Sequence, residues 1–425
     1  MLDVLPFNCP PRRKLTHGRS VILAIAYLAL GSSCFAQTAS FPLSPKEVDQ
    51  AVPIAVPPSS ASRLPLSEFR PRPQLKVAAT ELSAAKFLVV DCHEHFRIRL
   101  RHDPEALDAF VALMDRNRIQ VAVSLDGGLG VKLDQHIAYL WTKYRQRFVI
   151  FANIDWQGSG QADRPETWDC QQPDFAHRVI IQLEEARSKG ASGLKIFKSL
   201  GLEVRNGDGS LTSIDDPRWY PIWAACGRLK FPVIMHTADP SAFFEPITPQ
   251  NERYEELERH PEWHFPAGTF PSRDELHAAR NRIIADHPQT TFIAAHMAND
   301  AEDLKQTATW LDAYPNMVVE LASRISELGR QPFTARDFMI RYQDRILFGT
   351  DGPWPELRYS RYWRFLETRD EYFPYSEKEP PPQGLWNIYG VELPDDVLRK
   401  IYSANAVRLI PGVAERMNRI TDTAR

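Results

Sequence analysis

FLVVDCHEH, residues 87–95, is the stretch from which the fold can be read. A short apolar run ends in two histidines, His93 and His95, with Glu94 between them. Side chains alternate along a strand, so a strand here turns both imidazoles to one side and leaves Cys92 and Glu94 on the other. Three further runs have the same form: FPVIMH (231–236), TTFIAAH (290–296) and DRILFGTD (344–351), ending in His236, His296 and Asp351. Near-continuous apolar runs of this length read as buried parallel strands. In a (β/α)8 TIM barrel the C-terminal tips of such strands meet at one mouth, where barrel enzymes carry out their chemistry.

Working outward, the apolar periodicity predicts strands at 87–92, 119–125, 148–154, 192–197, 231–236, 290–295, 316–321 and 345–350. Helical patterns follow them near 104–117, 132–146, 173–189, 216–230, 272–287, 300–314, 334–343 and 394–410. Each strand followed by a helix is the α/β barrel alternation. It places one TIM-barrel domain over residues 85–412, with a C-terminal tail at 413–425. Two connections, after the fifth and the eighth strands, run to about Pro271 and Pro394 and are rich in aromatic residues. Long βα loops leave the ligand end of a barrel, so these loops are expected to cap the mouth. Most of their aromatics should form the loops' own cores; Phe243 and Trp354 are the better candidates for a substrate wall.

The chain has 425 residues, 43% of them hydrophobic, and a formal net charge of -3. That supports a large core and gives no reason to expect a nucleic-acid partner. The N-terminus has the form of an export signal. Arg12, Arg13, Lys14 and Arg19 precede the apolar VILAIAYLAL (21–30) and the small-residue GSSCFAQ (31–37). Ten apolar residues are too few to span a bilayer, so no integral membrane span is expected. Cleavage near Ala36 would leave a periplasmic or extracellular protein. Gly31 stands where a lipobox wants Leu, which argues against lipidation at Cys34. Residues 37–84, with eight prolines between Pro42 and Pro73, read as an extended arm or linker. Cysteines 92, 170 and 226 are too scattered for a disulfide framework.

His-x-His alone is a weak signal. Joined by His236 and Asp351 at other strand ends, it makes three nitrogen ligands and a carboxylate, which is a catalytic metal pattern. A divalent ion would activate a water, and Asp351 would serve as its base. His296 would be a further ligand, a substrate-polarising group or a proton shuttle. Arg97 and Arg324 are rim charges that would orient an anionic substrate, as is Glu320, although solvated loop charges are the commoner fate of such residues.

The motifs DCHEH (91–95), GLKIF (193–197), PVIMH (232–236), FIAAH (292–296), FGTDGP (348–353) and YSANAVRL (402–409) together resemble the amidohydrolase superfamily, in its amidohydrolase-related group of hydrolases and non-oxidative decarboxylases. The resemblance implies a barrel with a divalent metal at His93, His95, His236 and Asp351, and a catalytic His296. The ion expected is Zn2+, with Mn2+ or Fe2+ as alternatives. Binuclear relatives bridge two metals through a carboxylated lysine at the end of strand four, where this chain has Lys195 and Lys198. The plainer readings are a barrel-interior ion pair for Lys195 and a substrate-carboxylate contact for Lys198. The expected activity is hydrolysis of an amide, ester or lactone of a small molecule. The alternatives are decarboxylation of an aromatic or unsaturated carboxylate, and a non-catalytic binding protein. A homo-oligomeric state is left open.

Overall fold

The computed structural model describes residues 64–65, 68–69 and 71–423. The leader expected at 1–36 and most of the arm expected at 37–84 lie outside the described residues. Residues 74–425 form one compact unit. Among residues 1–73, which cluster separately, those described are exposed. No helix among the described residues is long and apolar enough to cross a membrane.

Eight parallel strands pair in sequence order: β1 (Val89–Glu94), β2 (Ile119–Ser124), β3 (Phe148–Asn153), β4 (Gly193–Ile196), β5 (Val233–Met235), β6 (Phe292–Ala294), β7 (Met317–Glu320) and β8 (Ile346–Leu347). Hydrogen bonds between the chain around β1 and the chain beyond β8 close the ring: Cys92 N to Phe348 O at 2.9 Å, Asp351 N to His93 O at 2.9 Å and His95 N to Gly352 O at 2.8 Å. The predicted TIM barrel is therefore the fold. Strand β8 is shorter than expected because its later backbone groups bond elsewhere: Phe348 N donates to Ile401 O and Thr350 N to Asp91 Oδ1.

Two apolar layers follow from the alternation of each strand. Val90, Val121, Phe151, Ile234, Ile293 and Leu347 pack inside the barrel. Their neighbours Val89, Ala122, Ile150, Val233, Phe292 and Ile346 pack outward against the helices. Gly193 is a point of close approach in the inner layer, since a Cβ there would lie 2.5 Å from ring atoms of Phe151. Phe151 is buried and cannot swing aside. Gly193→Ala is expected to cost about 1–3 kcal/mol by overpacking. Urea denaturation would measure it, and an unchanged midpoint would mean that the barrel relaxes at no cost.

The structure changes the reading of β1 in one respect. Asp91 pairs with Ala122 and Glu94 with Ser124, so three steps on β1 face two on β2. This one-residue bulge breaks strict alternation. Cys92 consequently packs with Val90 in the barrel interior, not on the face opposite the histidines. Glu94 does turn the other way, accepting from Tyr359 Oη at 3.0 Å and Thr350 Oγ1 at 3.3 Å.

Both long connections leave the ligand end. The second contains a helix, Glu356–Glu367, which the loop reading missed. Its signal was present: Tyr359, Tyr362, Trp363 and Leu366 recur at helical spacing and are all buried. The segment expected as a tail is also helical, Val413–Thr423. Val413 joins Ile410 and Ala406 in the inner cluster, while Arg416 donates to Phe148 O at 2.9 Å. The inner layer needs a cover at the N-terminal end of the barrel, and this segment supplies it.

Candidate metal centre

His93 and His95 leave the end of β1 and Asp351 follows β8, so barrel closure brings them together. Among the described residues, one ligand atom from each of the three lies within 4.8 Å of the others. The two imidazole Nε2 atoms are 3.2 Å apart. Asp351 Oδ1 lies 3.3 Å from His95 Nε2 and 3.6 Å from His93 Nε2.

The partners of the opposite ring nitrogens fix the tautomers. His93 Nδ1 lies 3.0 Å from Glu320 Oε1, and His95 Nδ1 lies 2.7 Å from Asp126 Oδ1. An ionised carboxylate only accepts, so each Nδ1 carries the proton and donates it. In the neutral rings both Nε2 atoms then present lone pairs, facing each other and a carboxylate oxygen. Left alone, this arrangement is repulsive; a divalent cation would make it attractive. Carboxylates holding the far nitrogen of each ligand are also the usual support of a metal-binding histidine. The donor set therefore fits the implied ion.

Electrostatics agree for His93. Burial, reinforced by the Lys195 charge, pushes its pKa well below the usual imidazole value and keeps the ring neutral. Burial acts the same way on His95, but its bonds to Asp126 and Asp351 prevail and its pKa is raised.

His236 and His296 occupy the neighbouring part of the mouth, with ring centroids 4.5 Å apart. His236 is outside the set of three converging atoms; its Nε2 lies 3.3 Å from Asp239 Oδ1. His296 follows β6 in a left-handed turn, φ 56°. Its Nδ1 lies 2.8 Å from Ala322 O, a carbonyl that can only accept, so the proton sits on Nδ1 and Nε2 is free to take another. Burial first, then the neighbouring His236, pushes its pKa well below the usual value.

Several residues named from sequence have other surroundings than expected. Glu320, read as a rim charge, is fully buried and accepts from His296 N at 2.7 Å and Ala322 N at 2.5 Å besides His93. Arg324 is not solvated either: it is 6% exposed and donates to Ser323 O. Lys198, expected to meet a substrate carboxylate, is paired with Asp239, which in turn faces His236. Phe243 is buried inside its loop, stacked on Trp263 with centroids 6.2 Å apart. Trp354 is half-buried and lies between the guanidinium groups of Arg99 and Arg358, at 4.0 and 4.7 Å. Arg97 stands half-buried at the mouth beside Gly128, with no ion pair among the described residues.

Lys195 faces inward as expected but makes no ion pair among the described residues. It is 1% exposed and its Nζ has no hydrogen-bond partner. Burial lowers its pKa to about 8, against the pull of Asp351, Glu320 and Asp126. The unfolded chain, with a lysine pKa of about 10.4, binds more protons than the native state between these values, so stability rises with pH there. Metal-free protein is expected to gain up to about 3 kcal/mol between pH 8 and about 10.4, because a pKa difference of one is worth roughly 1.4 kcal/mol. Chemical denaturation across that range should show the rise in the native chain and not in Lys195→Met. The same slope in both would remove Lys195 as its source.

Asp126 and Asp239 were missed in the sequence. Asp126 follows the end of β2 by two residues and obeys the same strand-end rule as His95 and Asp351. Asp239, three residues past His236, gives no periodic signal.

Residues 90–412 match the family described as Amidohydrolase. No curated protein sequence matches this chain. Solved structures with similar folds include 2,6-dihydroxybenzoate decarboxylase from Rhizobium, at 18% identity and a TM-score of 0.47, covering 76% of this chain and 98% of that one. A dihydroxybenzoic acid decarboxylase from Polaromonas sp. JS666, with bound manganese and the inhibitor 2-nitroresorcinol, is 16% identical with a TM-score of 0.46, covering 76% and 96% of the two chains. An uncharacterised TIM-barrel protein, Bb4693 from Bordetella bronchiseptica, is 16% identical with a TM-score of 0.44, covering 78% and 100%. With the family match extending from β1 to the last barrel helix, this chain belongs to the amidohydrolase family.

Proposed function

We propose that the protein is an exported, metal-dependent hydrolase that adds water to the carbonyl of an amide, ester or lactone in a small organic substrate. One observation carries this reading: two imidazole Nε2 atoms and a carboxylate oxygen converge, with both far ring nitrogens held by buried carboxylates. His93, His95 and Asp351 would hold the ion, with His236 as the fourth ligand. A divalent ion there supplies Lewis acidity and lowers the pKa of a water toward neutrality.

The protein's own groups divide the remaining work. Asp351, ionised, accepts the proton of the attacking water. His296 has its Nδ1 proton pinned on Ala322 O, so Nε2 can take the proton that Asp351 accepted and pass it to the leaving group. Lys195 is a buried cation with no hydrogen-bond partner among the described residues and offsets the negative charge that develops on the carbonyl oxygen. The long loops after β5 and β8 limit access of bulk water.

The test is a screen of lactones, esters and N-acyl compounds beside hydroxybenzoates, following acid release and carbon dioxide separately. Acid release that stops on chelation and returns with a divalent metal supports hydrolysis. Carbon dioxide from a hydroxybenzoate, with no hydrolysis of any carbonyl, would assign the site to a lyase instead. Full activity in protein shown to be metal-free would overturn the metal reading. Export is tested by N-terminal sequencing of the protein recovered outside the cytosol: a start at Gln37 is expected, and an uncleaved chain retained inside would remove it.

A further inference from the structure

A cavity of about 680 Å³ opens over the ends of β2, β3 and β4. That volume lies in the range of small-molecule sites, about 300–1,000 Å³. It shares a wall with the metal centre: Phe197, in its lining, has its ring 5.8 Å from that of His95, and Arg97, also in the lining, is two residues beyond His95. Leu129, Ile154, Trp156 and Val179 make much of the rest of the surface apolar.

The charges in this cavity are unequal in kind. Lys132 is paired with Asp155 at 2.7 Å, and Arg178 with Asp169 through two contacts of 2.9 Å. Arg97 makes no side-chain hydrogen bond and no ion pair among the described residues. Its Nη1 lies over Gly128, where an added Cβ would come within 3.7 Å of it. The other unpaired charge in the lining, Glu203, is exposed to solvent, whereas Arg97 is half-buried. An opposite charge is worth more beside the half-buried group than beside the solvated one. A guanidinium without a partner, next to an apolar wall, suits a planar carboxylate with an apolar body attached.

We propose that this cavity is a substrate subsite for a carboxylate-bearing acyl compound: Arg97 holds the carboxylate, and Phe197 and Trp156 flank the apolar body. This names a substrate class for the hydrolase proposed above and rests on that reading for the reaction, though not for the binding.

Binding is therefore tested on metal-stripped protein, by calorimetry, with N-benzoylglycine and its uncharged counterpart N-benzoylglycinamide. The native chain is expected to prefer the acid by at least about tenfold, as a charge-assisted bond to arginine should give. Arg97→Gln should lose the preference while still binding the amide. Arg97→Lys should keep part of it, and Leu129→Trp, which fills the cavity, should weaken both ligands. Far-ultraviolet circular dichroism confirms that each variant is folded. Equal affinity for acid and amide in the native chain, undiminished acid binding in Arg97→Gln, or binding that requires restored metal would each overturn the subsite. Binding that behaves as expected in a protein that hydrolyses neither compound would leave the subsite standing and count against the proposed reaction alone.

Discussion

Replacing Asp351 with Asn is expected to lower turnover by roughly 10²–10⁴-fold, the range of a lost general base. The substitution is clean for a conformational reason. Asp351 sits in the left-handed region, φ 64°, which Asn tolerates and most side chains do not. Its backbone bonds, N to His93 O and Arg99 Nη2 to its carbonyl, do not depend on the side-chain charge. The contact from Ser323 Oγ to Oδ2, 3.1 Å, can pass to the amide oxygen. Asn therefore keeps the shape while removing the charge that accepts the proton and helps to hold the ion. Metal content by elemental analysis, measured beside turnover on whichever substrate the screen finds, separates the two effects. A metal-loaded Asp351→Asn variant with undiminished turnover would end the assignment of Asp351 as base.

Glu320→Gln is the second large effect, through a residue that touches no substrate. The carboxylate accepts from three donors: His93 Nδ1, His296 N and Ala322 N. Gly349 makes room for it, since a Cβ there would stand 2.7 Å from Oε2. An amide keeps one acceptor oxygen and turns an NH2 group toward the remaining donors, so a buried donor loses its partner at about 1–3 kcal/mol. With the NH2 group in the Oε1 place His93 loses the bond that fixes its tautomer, and with it in the Oε2 place His93 keeps the bond but loses the negative charge behind it. Metal affinity is expected to fall about 10–100-fold, as when such supporting partners are removed elsewhere. Metal titration of the apo protein and urea midpoints with and without metal check this. A loss of stability with unchanged metal affinity would make Glu320 a structural residue only.

The fold and the residues at the strand ends were legible because both are local signals. An apolar run, a turn and an amphipathic helix are specified within some twenty neighbouring residues, and the end of a strand comes to the mouth whatever its neighbours are. His93, His95 and Asp351 meet where that rule sends them. The helix Glu356–Glu367 was also legible by its period, and was obscured by the aromatic content that suggested a lid.

What surrounds the ligands was not legible, because it depends on pairing across the barrel. Glu320 and Arg324 read as rim charges in sequence, and only the packing of β7 between its neighbours buries them. Lys198 finds Asp239 from a different strand end, 41 residues away. The interior place of Cys92 follows from a bulge that exists only when β1 pairs with β2. By itself, then, the sequence determined the barrel and the residues at its mouth, since periodicity and strand-end position are properties of one segment. Burial, tautomer and charge partner at those residues are properties of segments brought together, and the tertiary structure alone decided them.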